Sequence, residues 1–169
     1  MGAPLPRDPI GDAQRNWERR GWGEVAAPMA AITAIMRTQQ ILIGRIEEVL
    51  RPFGLTFARY ELLALLSFAR GGSLPMSRAS ALLQVHPTSV TNAVDRLQDA
   101  GLVERSPHPT DGRTTLVGLT AEGRSLVQRA TAALNSEVFA QSGFTDDDVE
   151  QLIRVLHGFR RRAGDFTDP

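Results

Sequence analysis

The sequence predicts a mainly α-helical chain carrying one small β-hairpin, an α+β class, and three observations lead there. Apolar residues recur every three to four positions along most of the chain, the period of a helix buried on one side. Between Val85 and Thr120 that period breaks into two short runs rich in Val, Leu and Thr, separated by Pro107-His108-Pro109-Thr110-Asp111-Gly112-Arg113. The first and last long helical segments are apolar over more of their circumference than a middle domain can cover, as in helices that pack against a second copy of the chain.

Each element follows from local signals. Residues 1–11 carry three prolines and little to pack, and read as a mobile arm. A short helix over Asp12–Gly23 bears Trp17 and Trp22. The longest helical signal, Val25–Leu50, places Met29, Ile32, Ile35, Met36, Ile41, Leu42, Ile46 and Val49 at helical spacing and ends before Pro52 and Gly54. Ala58–Arg70 is apolar at Leu62, Leu63, Leu65 and Leu66 and stops at Gly71-Gly72. Ser77 is suited to cap a short helix over Arg78–Leu83. Pro87 suits the first position of the next helix, which runs to Ala100 and stops at Gly101. Leu102–Ser106 and Thr114–Leu119 are the two strands. Thr120 caps a helix with Leu126, Val127, Ala130, Leu134 and Val138 in step. Thr145, followed by Asp146, Asp147 and Asp148 at the positive end of a helix dipole, opens the last one, whose apolar face is Val149, Leu152, Ile153, Leu156 and Phe159. The plan is a middle domain at 55–120, pairing helices at 12–54 and 121–164, and a tail at 165–169.

Composition removes several function classes. The chain has 169 residues, 42% of them hydrophobic and 22% charged, enough for one domain with a real core. It has no cysteine, which excludes disulfides, thiolate metal sites and thiol redox sensing. No apolar run approaches the roughly 20 residues of a membrane span, and the start lacks a basic-then-apolar leader pattern, so a cytoplasmic protein without a membrane partner is expected. There is no Gly-rich phosphate loop, no zinc-type His/Glu spacing and no nucleophile–base pair, and His86 and His108 sit in turns with proline; no enzyme, metal or cofactor is expected. Net charge is zero, so this is not the basic body of a bulk nucleic-acid binder. All 19 basic residues are arginine. A GC-rich genome would give that, and so would selection for forked donors to phosphate and base edges.

The helix from Pro87 carries the functional signal. Val90, Ala93, Val94 and Leu97 share an inward face; Thr88, Ser89, Asn92 and Arg96 share the outward one, with Thr91 at its edge. Compact hydrogen-bonding groups near a helix N-terminus, with an arginine one turn on, suit a major groove, where free backbone N–H groups could also face phosphate. The preceding short helix is placed to cross the DNA backbone, with Arg78 toward phosphate. The hairpin tip is longer than an Asp-Gly turn needs, and Pro107 and Pro109 stiffen it, which lowers the entropy cost of presenting it. Arg113 there suits a narrow minor groove. Asp111 has the wrong sign for phosphate and is expected to brace the turn and hold Arg113. Helix, turn, helix and a stiff hairpin together make a winged helix-turn-helix. Between Met76 and Leu119 four arginines (Arg78, Arg96, Arg105, Arg113) balance four acids (Asp95, Asp99, Glu104, Asp111), so affinity would come from placement and dimerisation; Asp95 and Asp99 are expected to pair with arginines on their own helix.

The run "VDRLQDAGLVER", then Asp111-Gly112-Arg113, then "LTAEG" from Leu119 to Gly123, resembles the core of the multiple-antibiotic-resistance regulator (MarR) family. The similarity extends over Val25 to about Arg162. It implies a homodimer on a palindromic double-stranded operator, usually a repressor released by a small molecule, with Arg113 in the wing and Ser89, Thr91, Asn92 and Arg96 on the recognition helix. It also implies an effector pocket between the dimerisation helices and the winged domain. Trp17, Trp22, Arg59, Tyr60, Glu61 and His157 are candidates there by residue type, although the tryptophans equally suit pinning the N-terminal helix, Tyr60 and Glu61 suit a core helix, and His157 suits a structural place. The tryptophan-bearing extension is similar to the branch that responds to urate and related anionic aromatics, though Glu61 stands where that branch has aspartate, and either tryptophan could be the match. A winged helix that binds only a ligand or a protein partner is the competing reading.

Overall fold

A computed structural model describes residues 5–111 and 113–167. Seven α-helices and three strands follow in the order α1 (Pro9–Arg19), α2 (Gly23–Leu50), α3 (Phe57–Phe68), β1 (Ser73–Pro75), α4 (Met76–Leu83), α5 (Pro87–Asp99), β2 (Val103–Pro107), β3 (Thr115–Leu119), α6 (Ala121–Leu134) and α7 (Asp146–Arg162). The mainly helical fold with a small antiparallel sheet is the expected one. No helix among the described residues is long and apolar enough to cross a membrane.

The core lies under the winged domain. Leu62, Leu63 and Leu66 on α3 meet Val90, Val94 and Leu97 on α5, Val127, Ala130 and Leu134 on α6, and Leu74, Val103, Val117 and Leu119 from the sheet. Burying each of the larger of these side chains stabilises the fold by roughly 1.5–3 kcal/mol before entropy is counted. The last turns of α2 add Ile46 and Leu50. No polar or charged residue is buried among the described residues.

The glycine of the "LTAEG" run has a packing reason. Thr120 caps α6 through Gly123 N–H at 3.0 Å and donates its hydroxyl to the Gly101 carbonyl at 2.8 Å. That brings the first turn of α6 onto the strand entry so closely that a Cβ on Gly123 would lie 1.9 Å from the Leu102 carbonyl oxygen.

Several expectations need correction. The first helix starts at Pro9, within the expected arm, because Asp8 accepts from Ile10 and Gly11 N–H and Pro9 occupies its first turn. Residues 1–4 of that arm lie outside the described residues. Trp22 falls outside α1, at the entry to α2. Ser77 is not a cap; α4 begins at Met76 behind Pro75 and has no side-chain cap. A third strand, β1, pairs antiparallel with β3 (Ser73 opposite Gly118, Pro75 opposite Leu116) and puts β3 at the sheet centre. Beyond α6 the helix widens into a π-helical turn, Asn135–Phe139. The tail is not idle: Asp165 and Phe166 fold back on α7.

α7 differs from the rest. Its capping box is complete, Thr145 accepting from Asp148 N–H while the Asp148 carboxylate accepts from Thr145 N–H. Yet it buries no residue. Val149, Leu152, Ile153, Leu156 and Phe159 all face solvent, as do Ile32, Ile35 and Met36 on α2.

Candidate nucleic-acid interface

α5 presents two faces, as its sequence pattern requires. Val90, Val94 and Leu97 are buried and Ala93 is half-buried, while Thr88, Ser89, Thr91, Asn92 and Arg96 are exposed. Thr88, Asn92 and Arg96 follow at intervals of four and so line one stripe. The Thr91 hydroxyl donates to the Pro87 carbonyl at 3.0 Å, leaving only its lone pairs for a partner. Arg78 is exposed on α4.

The helix N-terminus is more occupied than expected. Pro87 has no N–H, Thr88 N–H donates to His86 Nδ1 at 3.3 Å, and Ser89 N–H donates to the His86 carbonyl at 2.8 Å. His86 therefore caps α5, a role its place beside a proline did not suggest. Free backbone donors at this end are not what α5 offers; side chains must make its contacts.

The wing is braced from within. Arg113 N–H donates to one Asp111 carboxylate oxygen at 3.0 Å and the Thr114 hydroxyl to the other at 2.8 Å. These two bonds hold the Asp111 pKa below the ordinary carboxylate value, the Thr114 bond contributing most. Asp111 thus fixes the Arg113 backbone, and Arg113 is exposed. His108 N–H donates to the Thr114 carbonyl at 2.9 Å, and Thr110 N–H to His108 Nδ1 at 3.3 Å, closing the tip from its other side. Gly112, in the middle of the expected motif, lies outside the described residues.

The wing and α5 are tied together by Arg105. Arg105 on β2 reaches Asp95 at 2.5 Å and Gln98 at 2.8 Å, both on α5. Asp95 therefore pairs across elements and not with an arginine of its own helix. Arg105 and Asp95 stand ten positions apart, which no helical spacing would connect. The consequence is electrostatic: Arg105 is spent internally, and no ion pair among the described residues engages Arg78, Arg96 or Arg113.

A family description, MarR family, matches residues 53–114, the span from the end of α2 to the wing. The structure of Sco5413, a MarR family transcriptional regulator from Streptomyces coelicolor, is 47% identical, with a TM-score of 0.76 over 84% of this chain and 99% of that one. The chain belongs to the MarR family of transcriptional regulators. PrsX, an HTH-type transcriptional regulator of Escherichia coli, is 29% identical over 122 residues, 72% of this chain and 74% of that protein. An Escherichia coli MarR variant solved with operator DNA has the same fold, with a TM-score of 0.73 and 23% identity over 80% of this chain and 96% of that one.

The effector candidates of this MarR-family chain do not form one cluster. Trp17 and Trp22 meet edge to face, 5.4 Å between centroids, at the turn joining α1 to α2. Tyr60 is buried, stacked on Phe57, with its hydroxyl 3.1 Å from Thr131 on α6. Arg59 bonds to Thr56 through Nε at 3.2 Å and lines a cleft of about 600 Å³ with Glu47, Glu48, Arg51 and Leu55, between α2 and α3. Glu61 is exposed, but partial desolvation raises its carboxyl above the ordinary value of 4.5. His157 packs against Phe166, 4.8 Å between centroids.

Proposed function

We propose that this transcriptional regulator is a homodimeric, cytoplasmic repressor that reads a palindromic operator and leaves it when a small molecule binds. The observation that carries the DNA reading is the pairing of two projections on one rigid frame. The polar stripe Thr88, Ser89, Asn92 and Arg96 stands on a helix whose other face is core, and the Arg105 bridge ties that helix to the wing carrying Arg113. Ser89, Asn92 and Arg96 would read base edges in the major groove, with Thr88 and Thr91 toward its wall. Arg113 would enter the minor groove and Arg78 would meet phosphate.

The second copy is supported by α7 and α2. Two helices with continuous exposed apolar faces are a desolvation opportunity that a lone chain leaves unused. A symmetric dimer covers them and sets two recognition helices at a half-site spacing. For the effector, the cleft at Arg59 supports a small anionic or aromatic molecule: it lies where a dimerisation helix meets the winged domain, so its occupant could bias their relative placement. Trp17, Trp22 and Tyr60 contribute through packing in this reading, and Glu61 borders the same helix start.

Fluorescence polarisation with DNA from immediately upstream of the gene, at two salt concentrations, tests the DNA reading. Wild type should bind in the presence of unrelated duplex, with a modest salt slope because four acids balance the four arginines between Met76 and Leu119. Arg113→Ala should weaken binding on the order of 10- to 100-fold. Binding that is equal for both duplexes and indifferent to Arg113, together with a random-sequence selection that enriches nothing, would leave the winged helix with a protein or ligand partner instead.

A further inference from the structure

The turn between α4 and α5 contains Gln84, the one non-glycine residue with positive φ among the described residues, at φ 52° and ψ 35°. This left-handed position ends α4 and is one that glycine or asparagine fills at lower conformational cost. The long side chain of Gln84 makes a contact neither could make: its Nε2 donates to the carbonyl of Asp165, 81 residues away, at 2.9 Å. The recognition helix begins three residues later, at Pro87.

Asp165 is held in place independently of Gln84. α7 ends in a Schellman motif: Gly164, at φ 77°, donates to the Arg161 carbonyl, and Asp165 N–H donates to the Arg160 carbonyl at 3.1 Å. The Asp165 carboxylate accepts from Arg160 Nε at 2.6 Å. Phe166 then lies against His157, with the Arg160 guanidinium 5.3 Å over its ring. The chain after α7 is therefore folded back by five contacts on α7 itself, and what it extends outward to the winged domain is a backbone carbonyl. At the other end of α7, Arg45 of α2 donates to the carbonyls of Gln141 and Ser142 at 2.7 and 3.2 Å. α7 buries no side chain, so polar ties at its two ends carry much of its placement.

We propose that Asp165–Phe166 is a strap that positions the recognition helix, hooking the α4–α5 turn at Gln84 to the end of α7. A shift of α7 at the dimer interface is then passed directly to the entry of α5, without crossing the core. Gln84 and the strap are positioning residues; they touch no DNA. The inference rests on the reading of α5 as the DNA-contacting helix, but its first test does not.

That test compares wild type, Gln84→Gly and a chain ending at Gly164. Gln84→Gly removes the bond while suiting the left-handed backbone better, so lost affinity in it cannot be blamed on strain. Hydrogen exchange on the DNA-free protein should show the amides of Thr88 and Ser89, which donate to His86, exchanging faster in both variants, by roughly two- to tenfold, the effect of one net hydrogen bond. Melting temperature and dimer dissociation should stay as in wild type for Gln84→Gly. With a duplex enriched from a random pool by the wild-type protein, each variant should bind weaker by a similar factor, and the double variant no weaker than either alone. Unchanged exchange at the turn in both variants overturns the strap. Faster exchange with unchanged DNA affinity, or losses that add in the double variant, overturns its positioning role. If wild type enriches no duplex, the DNA reading fails, and the exchange arm alone decides the strap.

Discussion

α5 and α7 are both amphipathic helices with side-chain caps, of 13 and 17 residues, and they end up in opposite states. On α5 the apolar face is closed, with Val94 fully inaccessible. On α7 it is open, with Ile153 64% and Phe159 63% exposed. The periodicity of the two sequences is alike, so pattern alone does not separate them; what separates them is the supply of partners within the chain. α5 is packed by α3, α4 and β2, whereas α7 finds no partner in the chain that buries any of its residues. A helix that is well capped and apolar on one face, but unburied, has its start fixed by the chain and its packing left to another molecule.

Breaking each helix should therefore break a different property, and this contrast is the largest effect expected. Leu97→Ala on α5 removes a fully buried side chain and should cost about 2–5 kcal/mol of unfolding free energy, read by chemical denaturation. Ile153→Asp on α7 should leave the denaturation of dilute protein within about 0.5 kcal/mol of wild type, since the site is already solvated. Sedimentation of the same variant should show the proposed dimer weakened by about 100-fold or more, because a charge would be buried where two α7 faces are proposed to meet. A variant at Ile153 that unfolds like Leu97→Ala, or that dimerises normally, would remove the distinction.

A smaller effect separates the two kinds of contact within the winged domain. Arg96→Ala should cost about 1–3 kcal/mol of operator affinity and relax selectivity at one base position. Arg78→Ala should weaken binding evenly across sequences and lower the salt slope by roughly one. A selection profile that is flat for both variants would deny α5 its reading role.

The fold was largely legible because its signals are local. Asp111 bracing the wing, Thr120 and Thr145 as caps, Pro87 opening α5 and the inward set Val90, Val94 and Leu97 each depend on residues within about one turn of chain. What was not legible depends on distance or on brevity. β1 is three residues long, too short for a period to register, and exists because β3 offers it an edge. The Arg105–Asp95 bridge and the Gln84–Asp165 bond join positions that share no helical spacing. Asp8 before Pro9 was a readable cap and first-turn signal, outweighed by the proline count of the arm around it. His86 was missed as a cap because histidine caps far less often than Ser, Thr, Asp or Asn.

Arg105→Ala should be milder still. The bridge is partly exposed, 28% on the arginine and 51% on the aspartate, so its stabilisation is about 1 kcal/mol or less. Its loss should appear in the wing more than in the fold: faster exchange along β2 and β3, a nearly unchanged melting temperature, and operator affinity down by roughly three- to tenfold. An equal loss in Asp95→Ala, with no further loss in the pair, would assign the effect to the bridge.

The smallest effect tests the surface of α3 through pH. The raised pKa of Glu61 means that the folded chain holds this proton more tightly than the unfolded chain does. A carboxyl shifted in that direction opposes folding when ionised, so its penalty is fully present above the raised folded value. The penalty fades as pH falls through that value and is gone below the ordinary 4.5. Glu61→Gln removes the titration and should melt higher than wild type at pH 7 by roughly 1 °C, solvent screening keeping the gain small. Below pH 4.5 the two proteins should converge. Asp111 runs the other way: its lowered pKa stabilises the ionised wing above the ordinary carboxylate value, and the contribution is lost only as pH falls through the lower one. Asp111 is present in both proteins and cancels in their difference, so an advantage for Glu61→Gln that grew on acidification would mean that ionised Glu61 supports the fold and would overturn the desolvation reading.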